Sequence, residues 1–280
     1  MPDDPIFNVL EELFKKIDEA PIDEDGFFKD ETEKEQYESS FMIAFRKYQG
    51  AKYHYNNVLN LYDMNKQEAI RFVIETRKLS NGRPFYGGLE MFHNADEFTY
   101  ELSAFLASIK SCLDFLATAV RSHLKGFDHM DSIKTLMYQV DTKGMDEGIF
   151  DVIKKYLDWL KDMRDYRHKV IHRTVILTKS SIVIRNFKDK SEISIHSIFI
   201  PKKPPRNILD TRKSQQQFLE DFKDYNFEYT IEKNGKIKYN LPEGLSTIED
   251  LMKEYLDKLV AFFIDYIKHI LTLSLRIIKK

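Results

Sequence analysis

The chain has 280 residues, 42% of them hydrophobic and 31% charged, which supplies enough apolar material for a sizeable core and excludes a wholly disordered chain. Its single cysteine, Cys112, excludes an internal disulfide, and with no signal-peptide pattern the chain is expected in a reducing cytoplasm. The formal net charge of −2 conceals an asymmetry: residues 1–40 carry 14 acidic and 4 basic side chains, a balance of −10, whereas residues 164–214 carry 13 basic and 4 acidic, a balance of +9.

Ile6, Leu10, Leu13, Phe14 and Ile17 recur at helical spacing, and Pro21 with the acidic run to Gly26 ends that helix. A long helix is predicted from about Glu31 to Tyr62, on the stripe Tyr37, Phe41, Ala44, Phe45, Tyr48, Tyr55, Val58, Leu59 and Tyr62, with Gly50 marking a kink or a close contact. Asn65 and Glu68 stand at capping-box spacing, so a separate helix is expected over Ala69–Leu79. Asn81 to Pro84 and Gly87-Gly88 read as a break. Asn94 and Glu97 then open a helix whose stripe, Phe98 through Val120, is the cleanest in the chain and predicts the centre of a bundle. A short helix is expected after Asp131, and one unbroken helix from about Asp146 to Val170.

The pattern then changes. Thr174–Leu177, Ser181–Phe187 and Ile193–Ile200 are β-branched and alternate in places, a short helix is expected near Ser214–Phe222, and Asn234-Gly235 signals a two-residue hairpin between Phe227–Ile231 and Lys236–Tyr239. Ser246 and Glu249 form a capping box for a last helix to about Ile278. Within it, Leu256–Ile278 is the one segment weighed as membrane-spanning. Asp257, Lys258, Asp265, Lys268, His269 and Arg276 interrupt it, so a core helix and no membrane association are expected.

One stretch concentrates groups able to move protons and hold phosphate: Asp165-Tyr166-Arg167-His168-Lys169-Val170-Ile171-His172-Arg173. Arg167 and His172 stand as R-x-x-x-x-H at the end of an amphipathic helix. With His168 after the arginine, and Ser111-Cys112-Leu113-Asp114 on the preceding apolar helix, the stretch over roughly Asn94–Arg173 resembles the HEPN superfamily (higher eukaryotes and prokaryotes nucleotide-binding domains). Asn is the commonest residue in the place that His168 holds. The resemblance implies a mainly α, HEPN-like helical bundle; the small β-rich insert before the last long helix, read from the strand patterns over Thr174–Tyr239, is not part of the family's common bundle. The resemblance also implies a metal-independent endoribonuclease of toxin or phage-defence type, a homodimer with its cleft at the two-fold interface, and an antitoxin protein as a further partner. No cofactor or metal is implied. The organisation expected is N-terminal helices over 1–90, the motif-bearing core over 91–173, the β-rich insert over 174–245 and a bundle helix over 246–280.

The residue types suit that chemistry independently. A histidine titrates near neutral pH and transfers protons, while arginine stays charged and grips phosphate through a fork of donors. Arg167, Lys169 and Arg173 are expected to lower the pKa of His172 and favour a neutral base. Five residues along an ideal helix advance by about 140° net, so either the helix ends before His172 or the pair forms between two copies. Asp114 is a supporting candidate, able to orient a motif side chain or to join an ion-pair row with Lys110 and Arg121. Lys169, Arg173, Lys202, Lys203 and Arg206 are candidate phosphate contacts on RNA, against a solvated loop at 202–206. The basic segment as a whole attracts polyanions, unless the acidic N-terminal segment neutralises it within the fold. Two further readings stay open: a non-catalytic helical module that binds RNA, nucleotide or a protein, and a purely structural dimer. A capping role for the cations at the helix end is the plain alternative to a site.

Overall fold

Asp4 and Pro5 begin the first helix, α1 (Pro5–Asp18). Pro5 sits where a missing N–H costs nothing, and the Asp4 carboxylate accepts from the Ile6 amide at 3.1 Å. Asp4 is buried, and it also accepts from Tyr48 Oη at 3.1 Å, Gln49 Nε2 at 3.3 Å and Lys52 Nζ at 3.4 Å. One carboxylate thus caps α1 and ties it to the next helix. The computed structural model describes residues 4–22, 28–79, 86–89, 95–120, 130–145, 147–172, 182–187, 190–195, 199–204, 228–231, 237–241 and 243–277.

These residues are mainly helical. After α1 come α2 (Glu31–Leu79), β1 (Tyr86–Leu89), α3 (Ala95–Ala119), α4 (Ile133–Lys143), α5 (Ile149–Lys155) and α6 (Leu157–His172). Then follow β2 (Ile182–Phe187), β3 (Lys190–Ile195), β4 (Phe199–Pro201), β5 (Glu228–Ile231), β6 (Ile237–Asn240), β7 (Leu245–Thr247) and the last helix, α7 (Ile248–Ile277). All sheets are small and antiparallel: β1-β2-β3, β4-β7 and β5-β6.

Several boundaries differ from the sequence reading. α2 does not stop near Tyr62. Asn65 is buried inside it and donates to the Leu61 carbonyl of its own helix at 2.8 Å, rather than capping a new one. Residues 62–69 contain no Gly or Pro, so nothing local breaks the ladder. The helix expected over Asp146–Val170 is instead divided at Tyr156 (φ −109, ψ 8) into α5 and α6. Tyr156 turns its ring edge-on to Phe262 and its hydroxyl to Asp265, contacts that local sequence does not announce. Tyr86–Leu89, read as part of a break, pairs with Ile182–Phe187. The segment Ile193–Ile200 divides between β3 and β4, which pair with different strands. The last two strands pair as expected in direction, with Ile231 opposite Ile237, and the Asn234-Gly235 turn lies outside the described residues. The expected Asn94 cap, the Thr174–Leu177 strand and the Ser214–Phe222 helix lie outside the described residues.

The chain divides into two compact units. The first takes Met1–Tyr53, Phe105–Arg164 and Glu254–Lys280; the second takes His54–Ala104 and Asp165–Lys253. α2, α3, α6 and α7 each contribute to both. In the first unit Phe105, Ile109, Leu113 and Leu116 of α3 are fully buried, as are Phe41 of α2 and Phe262, Phe263 and Tyr266 of α7. Each such side chain contributes roughly 1.5–3 kcal/mol through burial. The Tyr266 hydroxyl donates to the Leu116 carbonyl at 2.9 Å, satisfying a group that would otherwise be costly inside. Gly50 marks a close helix approach: a Cβ there would lie 3.4 Å from Ser108 Oγ. Among the described residues, one helix is long and apolar enough to cross a membrane by length and composition, Asp96–Ala119 within α3, which differs from the Leu256–Ile278 segment weighed from sequence. Its apolar stripe is buried in the protein.

Candidate functional site

Leu160, Met163 and Tyr166 recur every third residue on α6, and all three are buried. That stripe fixes the face on which the helix reaches its final turns, where Arg167, His168, Lys169 and His172 are collected. Cations there are favoured by the exposed carbonyls at a helix C-terminus, by some 0.3–1 kcal/mol each.

Arg167 is half-buried. Its Nε is out of contact with water and has no hydrogen-bond acceptor among the described residues. A buried donor left in that state costs about 1–3 kcal/mol. His168 is exposed. The α6 backbone stays helical through His172, which removes the option that the helix ends before it. Positions 167 and 172 are therefore separated by about 140° around the axis. The side chains of Lys169 and His172 lie outside the described ones, as do Arg173 and Arg206 altogether, and with them the expected pKa shift of His172.

Asp114 has structural work in the first unit. One oxygen accepts from Lys110, one turn earlier on α3. The other accepts from Ser132 Oγ at 2.9 Å and the Ile133 amide at 3.1 Å, at the start of α4. The pair with Lys110 is the ion-pair alternative that the sequence allowed. The acidic N-terminal segment likewise has ion pairs with Lys16, Lys34 and Lys52 of α1 and α2.

The second unit brings one pair of segments together that the sequence did not connect. Tyr166 is fully buried, and its hydroxyl donates to the Pro201 carbonyl at the end of β4. Lys202 and Lys203, both exposed, follow directly. Arg167 and Lys202 thus each stand one residue from the ends of a single hydrogen bond. The available signal was Tyr166 itself: a tyrosine on the buried stripe of a helix needs an acceptor for its hydroxyl. A second group that sequence reasoning passed over is His54. Its Nδ1 lies 2.7 Å from Glu101 Oε2, and Asn57 donates to Glu101 Oε1 at 3.0 Å, which joins α2 to α3.

Comparison with protein-family models, curated proteins and solved structures returns no match. Function is read from the site's own chemistry. Among the described residues no three His, Cys, Asp or Glu side chains converge as metal ligands would. What the α6 terminus offers is a half-buried guanidinium next in sequence to an exposed imidazole, with two exposed ammonium groups following the strand that Tyr166 holds.

Proposed function

We propose that the chain is a HEPN-like bundle acting in the cytoplasm as a metal-independent endoribonuclease of toxin or phage-defence type, with its cleft formed between two copies. Arg167 holds the scissile phosphate. His172 acts as acid–base: it takes the proton of the 2′-hydroxyl as that oxygen attacks the adjacent phosphorus, and the imidazolium so formed gives a proton to the 5′-oxygen as its bond to phosphorus breaks. The products are a 2′,3′-cyclic phosphate and a 5′-hydroxyl end. His168, Lys169 and Arg173 add positive field. A homodimer doubles that field, and it brings a second His172 toward each Arg167 where one helix separates the two positions by about 140°. An antitoxin protein that covers this basic cleft is a partner in the same proposal.

The observation that supports this reading best is the buried Nε of Arg167, without an acceptor among the described residues, on the helix that carries His172. In this reading the guanidinium turns outward on binding, and a phosphate oxygen satisfies that donor. The same observation favours one rival, a non-catalytic module that binds RNA or nucleotide, because the arginine receives phosphate whether or not the bond is then cut. Incubation of the purified chain with RNA in EDTA separates the two. Cleavage is expected to persist in chelator and to fall at least about 10²-fold in His172→Ala and in Arg167→Ala. Salt-sensitive binding without product supports the module instead, and cleavage indifferent to both substitutions removes the site.

A further inference from the structure

The Lys202–Lys203 tip is anchored on both sides. Before it, β4 pairs with β7 (Pro201 opposite Leu245), with Ile200 and Leu245 buried. At its first residue the Lys202 amide donates to the Gly244 carbonyl at 2.8 Å, extending the ladder by one bond. Gly244 has φ +91, a conformation costly for a residue with a Cβ, and this lets the chain turn back and present that carbonyl. After the tip, Pro204 is buried. From below, the Tyr166 hydroxyl holds the Pro201 carbonyl. Pro201 has a fixed φ, so fixing its carbonyl also fixes the direction in which the chain leaves toward Lys202. Two exposed cations on a backbone held in this way are placed in advance, and binding an anion costs less ordering than on a free loop.

We infer that Tyr166 is a positioning residue: its hydrogen bond to Pro201 sets the Lys202–Lys203 tip beside the end of α6, so that the two lysines hold backbone phosphates of the RNA strand whose neighbouring phosphate Arg167 grips. The β-rich segment then serves as the second half of the binding surface, and strand β4 is its mount. The inference rests on the ribonuclease reading for its substrate class, single-stranded RNA. It does not require that the bond be cut.

The test is binding of the full chain to a short fluorescent RNA with 2′-O-methyl riboses, which cannot be cleaved by its own 2′-oxygen, followed by anisotropy across a salt series. Replacing both lysines (Lys202→Ala with Lys203→Ala) is expected to lower the slope of log affinity against log salt by about 0.7 for each phosphate that is no longer neutralised. Tyr166→Phe keeps the buried ring and removes only the donor. It is expected to weaken binding in the lysine-containing chain and to change nothing further in the double lysine variant, because the hydroxyl acts through the lysines. A purely structural role would instead add its loss in both backgrounds. Gly244→Ala loosens the other anchor and is expected to show the same lysine-dependent loss, which keeps the test open if Tyr166→Phe does not fold. An unchanged salt slope in the lysine variant, additive losses, or no RNA binding by the native chain overturns the inference. Lysine-dependent binding alongside cleavage indifferent to Arg167→Ala would sink the catalytic reading and leave this one standing.

Discussion

Asp265 on α7 accepts from Lys155 Nζ and Tyr156 Oη, each at 2.7 Å. Burial pushes its carboxyl group up. The hydrogen bonds from Lys155 and Tyr156, with the charges of Lys155 and Lys268, outweigh that and hold it below the usual aspartate range. A depressed folded pKa stabilises the native state above the unfolded value of about 3.9, and the contribution is lost as pH falls through the folded value. Asp265→Asn keeps the shape and an acceptor for Tyr156 but discards the charge. Urea denaturation should therefore find the variant less stable at neutral pH and equal to the native chain once the acid limb lies below the folded pKa. An equal gap at both pH values would mean that the charge contributes nothing. Arg167 presents the same physics from the donor side. Its buried Nε has no protein acceptor among the described residues, so burial there is a cost to the fold.

At the scale of elements, caps and breaks are set by contacts that local pattern locates only to within a residue or two. The start of α7 is the clearest case. Ser246 and Glu249 had the spacing of a capping box, but Ser246 is taken into β7, and Thr247 Oγ1 accepts from the Asp250 amide at 3.1 Å. The box is displaced by one residue because β4 claims Ser246 opposite Ile200. Thr247→Ala should cost about 1 kcal/mol, read as a lower urea midpoint at unchanged slope. Ser246→Ala leaves the helix start capped, and a larger loss there than at Thr247 would return the cap to the earlier position. The division of α5 from α6 at Tyr156 follows the same logic. The sequence there is helix-compatible, and the break exists because Phe262 and Asp265, over a hundred residues away, engage the ring and hydroxyl.

At the scale of the whole chain, Cys112 reports on the core of the first unit. It is fully buried on α3, and burial pushes its thiol well above the ordinary range. Labelling by a thiol reagent should be slower in the native chain than in denaturant by at least about a thousandfold, since the sulfur is reached only when the bundle opens. Prompt labelling without denaturant would show that α3 is not held as described. The sequence by itself determined the helical character of the chain, the buried stripes of α1 and α3 and the existence of a β-rich segment before the last helix. It also determined the gathering of Arg167, His168, Lys169 and His172 at one helix end. Periodicity and composition are local, and burial of an apolar stripe follows from them wherever a core exists. Only the tertiary structure decided that α2 runs through Asn65, that Tyr86–Leu89 joins the strand beginning at Ile182, that Asp114 accepts from Ser132 and the Ile133 amide at the start of α4, and that Tyr166 reaches Pro201. Each of these is a bond between groups whose partner is chosen by the fold. A hydroxyl, an amide or a carboxylate states in sequence that it needs a partner, and only the packed chain supplies one.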